Sequence, residues 1–179
     1  MNYLKIEHED VCNGPGLRCT IWIAGCAHQC PECFNKESWN PNNGVLFDES
    51  AKQEIYADLS KPYISGITFS GGDPLYRNNL TTVINLISEI RQKFPTKTIW
   101  LYTGYDYQTI FRSEPSCLSQ DGLDNYKRRQ IISMCDVVVD GEYIDELKDS
   151  RLKFKGSSNQ RVIDVKKSLK EGRVILYCD

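Results

Sequence analysis

No apolar run in the chain approaches the ~20 residues needed to cross a bilayer. The N-terminus lacks a signal-peptide core, because Glu7, His8, Glu9 and Asp10 interrupt it at once. No membrane association is expected, and the chain is expected in the cytoplasm. Basic excess is also missing: 22 Lys and Arg stand against 24 Asp and Glu, for a net charge of −2 with no basic stripe, so nucleic acid is not an expected partner. No internal repeat or low-complexity tract is present. Histidine is scarce, and neither a His-x3-His pair nor a second Cys-x2-Cys pair exists to complete a tetrahedral zinc shell. What is left is ordinary for a globular protein. At 179 residues, 40% hydrophobic and 26% charged, a single domain spanning 1–179 can bury a sizeable core.

Cysteine is the exception, with eight in the chain. In a reducing compartment these are ligands or reactive thiols rather than disulfides. Three of them fall in the run Gly25-Cys26-Ala27-His28-Gln29-Cys30-Pro31-Glu32-Cys33-Phe34-Asn35, spaced Cys-x3-Cys-x2-Cys. Thiolates are soft, charged donors that suit zinc or iron–sulfur clusters. A cubane held by only three cysteines keeps one iron open for a small molecule. A zinc site would need His28 or a distant thiol (Cys12, Cys19, Cys117, Cys135 or Cys178) as its fourth ligand. Unligated thiols are the third reading, and spacing alone leaves all three open.

Along the chain, 17–24 is rich in β-formers and ends at the cysteine loop, which predicts a strand. Asp48 or Ser50 caps a helix to about Leu59. Residues 66–70 form a second strand, closed by Gly71-Gly72-Asp73-Pro74. Leu80, Val83, Ile84, Ile87, Ile90 and Phe94 recur at helical spacing until Pro95 stops them. Residues 97–103 predict a third strand, 105–111 a short helix and 112–124, with Pro115 and Gly122, a surface insertion. A helix over 125–134, a buried strand over 136–141 and a last strand over 173–178 complete the pattern. Alternating strands and helices predict an α/β fold with chemistry at the strand C-terminal ends. The cysteine loop, Gly71-Gly72-Asp73, Thr103-Gly104 and Asp140-Gly141 all fall there.

With these residues laid out, the chain resembles the radical S-adenosylmethionine (SAM) superfamily and, within it, the activating proteins of anaerobic ribonucleoside-triphosphate reductase. The resemblance runs from Asn13-Gly14-Pro15-Gly16-x-Arg18 through Trp22-x-x-Gly25-Cys26, Cys33-Phe34-Asn35 and Ser38-Trp39. It continues in Ser70-Gly71-Gly72-Asp73-Pro74-Leu75, Trp100-x-Tyr102-Thr103-Gly104-Tyr105 and Val139-Asp140-Gly141, and ends at Gly156-Ser157-Ser158-Asn159-Gln160. The cysteine triad marks the superfamily, and the first and last motifs select the activase group. Asp73 stands where the superfamily often has Glu, which keeps a carboxylate. The tail beyond Gln160 carries no motif.

The resemblance implies a [4Fe–4S] cluster on Cys26, Cys30 and Cys33, with SAM on the open iron and no side-chain acid, base or nucleophile in the chemistry. It implies SAM contacts from Glu32, Cys33 and Phe34 on the adenine side and from Gly71, Gly72 and Asp73 on the methionine side. Glycine there lets the backbone approach the amine. Thr103 and Asp140 are weaker ribose-side candidates. Phe34 is equally readable as core, His28 reads as exposed, and Cys12 and Cys19 read as buried thiols. Closed (β/α)8 barrels take about 250 residues, so the expected fold is an open, incomplete (β/α) barrel of five to six parallel strands. Its mouth suits a peptide loop of a macromolecular partner. The implied partners are the reductase large subunit, whose glycine loop receives the radical, and a separate electron donor. A zinc-stabilised binding module and a small-molecule radical SAM enzyme are the competing classes.

Overall fold

Period-two alternation sorts strand side chains onto two faces, and the computed structural model, which describes residues 1–112 and 119–178, shows how each face is used. The strands are β1 (Asn2–Asp10), β2 (Leu17–Ile23), β3 (Val45–Leu46), β4 (Ile64–Gly71), β5 (Thr98–Tyr102), β6 (Val137–Asp140), β7 (Arg161–Asp164) and β8 (Leu176–Cys178). They form one open sheet in the order β3-β1-β2-β4-β5-β6-β7-β8. Its centre, β2, β4, β5 and β6, is parallel.

Both flanks are antiparallel, which corrects the expected five to six parallel strands. The short 11–16 connection reaches only an antiparallel neighbour, since a parallel return needs a crossover of a dozen residues or more. Residues 141–160 are long enough for a crossover. They fold instead as a cover with one short 3-10 turn, and β7 returns antiparallel, with Val138 opposite Ile163.

The helices are α1 (Glu49–Leu59), α2 (Leu80–Lys93), α3 (Tyr107–Arg112), α4 (Gln120–Met134) and α5 (Val165–Glu171). Asp48 caps α1 by accepting from the Ala51 amide at 2.9 Å. The predicted stripe of α2 is buried at Leu80, Val83, Ile87 and Ile90 against Ile21, Ile67, Phe69 and Leu101. The expected 112–124 insertion is shorter than read. Ser119 caps α4 through the Gly122 amide at 3.1 Å, so helix begins at Gln120, and Arg77 holds Asp121 and Asp124 on that first turn. The 113–118 part, with Cys117, lies outside the described residues.

The other face of the sheet carries Arg18, Thr20, Thr68, Ser70, Trp100 and Tyr102. Arg18 is fully buried there. It donates from Nε to Thr68 Oγ1 (2.8 Å), from Nη1 to Thr98 Oγ1 (2.9 Å) and from Nη2 to the Ile67 carbonyl (2.8 Å). Its guanidinium lies over Trp100, 5.6 Å from the ring centroid. Burial pushes its pKa down to about 10, which keeps it charged at neutral pH. The Thr68 hydroxyl donates onward to the Asn13 carbonyl at 2.7 Å. Gly14 has φ 130°, and a Cβ on it would stand 2.9 Å from Arg18 Cδ. The Asn-Gly-Pro-Gly-x-Arg motif is therefore a loop folded onto its own buried arginine.

Candidate active site

The cysteine loop leaves β2 at its C-terminal end, and its path depends on three left-handed residues: Gly25 (φ 101°), Gln29 (φ 50°) and Glu32 (φ 56°). Two of these are not glycine, a costly conformation that persists where surrounding structure imposes it. The base of the loop is pinned from the Gly25 amide to the Ser38 carbonyl (2.7 Å) and from Cys26 to Trp39 (3.2 Å). The strand-end turn of β4 locks against the same base, with the Gly72 amide on the Ile23 carbonyl (2.7 Å) and Asp73 on Gly25 (2.8 Å).

Cys26, Cys30 and Cys33 are free thiols at half-buried positions. Burial pushes the Cys26 and Cys30 thiols up. Opposing it, the Gln29 and His28 amides face the Cys26 sulfur and the Tyr143 amide faces Cys30. Amides aimed at sulfur are one of the means by which proteins tune an iron–sulfur centre. Among the described residues, no three His, Cys, Asp or Glu side chains converge on one point as a single ion requires. A cubane takes each thiolate on a separate iron, so its donors need not converge as those of one zinc ion do. Three soft donors on one loop fit that group.

The structure gives Gly71 and Gly72 a reason that the motif does not reveal. A Cβ on Gly71 (φ 107°) would lie 2.4 Å from the Ile23 nitrogen, and one on Gly72 would lie 2.6 Å from the Gly25 carbonyl oxygen. Both glycines let the β4 turn and the base of the cysteine loop touch backbone to backbone. Asp73 is fully buried, and its carboxylate is already engaged. It accepts from the Thr103 hydroxyl (3.0 Å), the Gly104 amide (3.0 Å) and the Leu75 amide (2.7 Å).

His28, expected to be exposed, is not. Its side chain is 11% exposed, packs on Gly104 and meets the Tyr105 ring edge-on at 4.5 Å. Nδ1 lies 2.8 Å from Glu142, while Nε2 lies 3.1 Å from Asp73 Oδ2, within ion-pair reach but not aligned as a hydrogen bond. Burial disfavours the charged ring, but Asp73 and Glu142 outweigh it and hold the His28 pKa above its ordinary value. Phe34 is 85% exposed, edge-on to Trp22 at 6.1 Å, which rules out the core reading. Glu32 is exposed beside Lys36.

Beside Cys33 and Phe34 opens a cleft of about 350 Å³, walled by Ser70, Tyr102 and Asn13 and covered by Tyr143, Phe154 and Lys155. With that geometry in view, the matches to known proteins are specific. Residues 12–163 match the family model described as a 4Fe-4S single cluster domain. The anaerobic ribonucleoside-triphosphate reductase-activating protein of Enterobacteria phage T4 is 39% identical over 162 residues, covering 90% of this chain and 93% of that protein. The protein of the same name from Escherichia coli K12 is 38% identical over 164 residues, covering 90% and 97%. That from Haemophilus influenzae is 39% identical over 162 residues, covering 89% and 96%. The chain belongs to this family of reductase-activating proteins.

In this activating-protein chain, two expected ribose-side residues are already committed elsewhere. Thr103 donates to Asp73 and accepts from the Tyr105 amide (3.1 Å). Asp140, 1% exposed, takes Arg161 and the Tyr107 amide (2.8 Å), so it ties β6 to β7 and α3. Cys19 is buried as expected, whereas Cys12 is exposed at the cleft. The Gly-Ser-Ser-Asn-Gln motif, quoted from the sequence without a role, is a clamp. Gln160 accepts from the Gly156 amide (2.9 Å) and donates to the Gly141 carbonyl (2.9 Å), while Asn159 donates to the Glu142 carbonyl (2.8 Å). It closes the 141–160 cover over the cleft. Among the described residues, no helix is long and apolar enough to cross a membrane.

Proposed function

We propose that this chain activates an anaerobic ribonucleoside-triphosphate reductase by generating a glycyl radical on its large subunit, using a [4Fe–4S] cluster on Cys26, Cys30 and Cys33 and SAM as cofactor. When bound and reduced by the electron donor, the cluster would supply the electron for reductive cleavage of SAM, the chemistry that would allow a hydrogen atom to be taken from a glycine Cα of the reductase. The chain's own residues bind, orient and shield. Cys26, Cys30 and Cys33 hold the cluster on a loop whose base is pinned to Ser38 and Trp39. The exposed Phe34 ring and the backbone of Glu32 and Cys33 take the adenine side. Gly71 and Gly72 would present backbone acceptors to the methionine amine, and Asp73 fixes their turn through Thr103, Gly104 and Leu75.

The observation that carries this reading is the meeting of a three-thiol loop with the ends of parallel strands at an open cleft, in a chain of this family. We read the sheet as an open, incomplete (β/α) barrel within one domain over 1–179, working in the cytoplasm with a separate electron donor. The cleft, partly covered by residues 141–160, stays open at its rim to a loop of another protein.

Anaerobic reconstitution tests the proposal. The expected preparation is brown, holds about four iron and four sulfide per chain, and gives a glycyl radical signal by electron paramagnetic resonance with reductase, SAM and reductant. Cys26→Ala, Cys30→Ala and Cys33→Ala each abolish SAM cleavage, and Cys117→Ala does not. An α-deuterated glycine in the reductase passes deuterium into 5′-deoxyadenosine. A reconstituted protein that cleaves SAM without forming a radical on the reductase overturns the assignment.

A further inference from the structure

Half of the hydroxyl, amide and ammonium side chains lining the cleft are already satisfied inside the protein. The Asn13 amide donates to Asp10 (2.6 Å), the Tyr143 hydroxyl donates to Asp145 (2.6 Å), and Gln160 is tied at both ends of its amide. Three are not: Ser70, Tyr102 and Lys155 have neither a hydrogen-bond nor an ion-pair partner among the described residues. Ser70 is only 7% exposed. Its hydroxyl is not one of the buried unpaired atoms, so the oxygen opens into the cleft, where it can meet a group that arrives there.

The two hydroxyls are a matched pair. Phe69 is in register with Leu101 across the parallel β4–β5 ladder, so Ser70 and Tyr102 follow as neighbours on the same face. Adjacent strands lie about 4.8 Å apart, and same-side carbonyls of an extended peptide recur about every 7 Å. The longer tyrosine arm spans the difference. Below the pair the wall is apolar, with Trp100 packed against Phe154 at 5.1 Å, and Lys155 stands at the rim. All three free groups are hydrogen-bond donors, or donors by rotation of a hydroxyl.

A glycine-bearing segment offers no side chain to recognise, and its main-chain carbonyls are the acceptors that identify it. We propose that Ser70 and Tyr102, with Lys155 at the rim, hold the main-chain carbonyls of the reductase's glycine segment and so align its Cα for hydrogen removal. This rests on the activase reading above. Ser70 and Tyr102 are substrate-positioning residues in it, and the cofactor binds without them.

Ser70→Ala, Tyr102→Phe and the double variant test it, because each removes a hydroxyl and leaves the packing shape. The readouts are cluster content, melting temperature, SAM dissociation constant, and KM and kcat for glycyl radical formation on the intact reductase. We expect KM for the reductase to rise about five- to tenfold per hydroxyl, with unchanged SAM affinity, iron content and Tm. Loss of SAM affinity by a similar factor would assign the hydroxyls to the cofactor and overturn the proposal, as would an unchanged KM in the double variant. If the wild-type protein forms no glycyl radical, the activase reading itself fails, which is a different result from a wild type that works and variants that match it.

Discussion

Gly71 and Gly72 face two demands, and only one is visible in the motif. Read as a sequence, they clear a path for backbone to reach the SAM amine, and a valine there weakens SAM binding with the cluster intact. In the fold their Cβ positions fall 2.4 Å from the Ile23 nitrogen and 2.6 Å from the Gly25 carbonyl oxygen, both backbone atoms that cannot swing aside. The expected outcome is therefore broader. Gly71→Val or Gly72→Val displaces the base of the cysteine loop, destabilises the protein by roughly 2–4 kcal/mol and lowers iron retention along with SAM affinity. Denaturant titration with iron analysis checks this, and an iron-replete variant of wild-type stability would return the glycines to a role toward SAM alone. Asp73 makes the same point for a carboxylate. Its charge marks it as a ligand contact, yet its oxygens are engaged by Thr103, Gly104 and Leu75.

At the scale of elements, the strands with near-continuous apolar or β-branched runs were legible, and β1 was not. Tyr3, Leu4 and Ile6 are interrupted by Lys5 and Glu7, so no clean period shows, and β1 is held as much by side chains as by an apolar face. His8 tethers it to α1, with Nδ1 2.6 Å from Asp58 and Nε2 3.0 Å from Glu54. The Asp58 contact outweighs burial and raises the His8 pKa above its ordinary value. A histidine whose folded pKa is raised contributes stability that is fully present below its unfolded pKa, about 6.5, and lost as pH climbs through the folded value. With the His8 side chain 45% exposed, solvent screening holds that contribution below about 1 kcal/mol. Unfolding free energy should therefore fall as pH rises from about 6.5, with a shallower slope in His8→Gln. The slope does not vanish, because His28 is shifted in the same direction. Identical slopes in the two proteins would show that the tether has no protonation linkage. The α4 start is hidden in the sequence for a related reason: Pro115 and Gly122 look like loop residues, and Arg77, far away in sequence, supplies the ion pairs that hold the first helical turn.

For the whole molecule, the open sheet places the cysteine loop, the Gly71-Gly72-Asp73 turn and the 141–160 cover around one cleft. Positioning a glycine Cα within a few ångströms of the radical carbon requires that the partner close this side and exclude water. Hydrogen exchange with and without the reductase should show new protection at the 25–35 loop, at 71–73 and at 143–160. Protection confined to the helix-covered face would contradict the docking.

The sequence by itself determined what depends on near neighbours. The three thiols share a loop because of their spacing, α2 buries its stripe because of its period, and the strand ends carry glycines and polar residues because the chain turns there. Tertiary structure alone decided what depends on partners distant along the chain. Thr103 and Asp140 are tied into the fold, because Asp73 and Arg161 reach them from elsewhere in the chain. His28 is enclosed because Gly104, Asp73 and Glu142 come from three other strand ends. The β7 flank is antiparallel because residues 141–160 fold back as a cover, clamped by Gln160, rather than as a crossover helix. No local pattern of residues encodes such choices. They are settled when separate segments compete for the same hydrogen bonds and the same buried space.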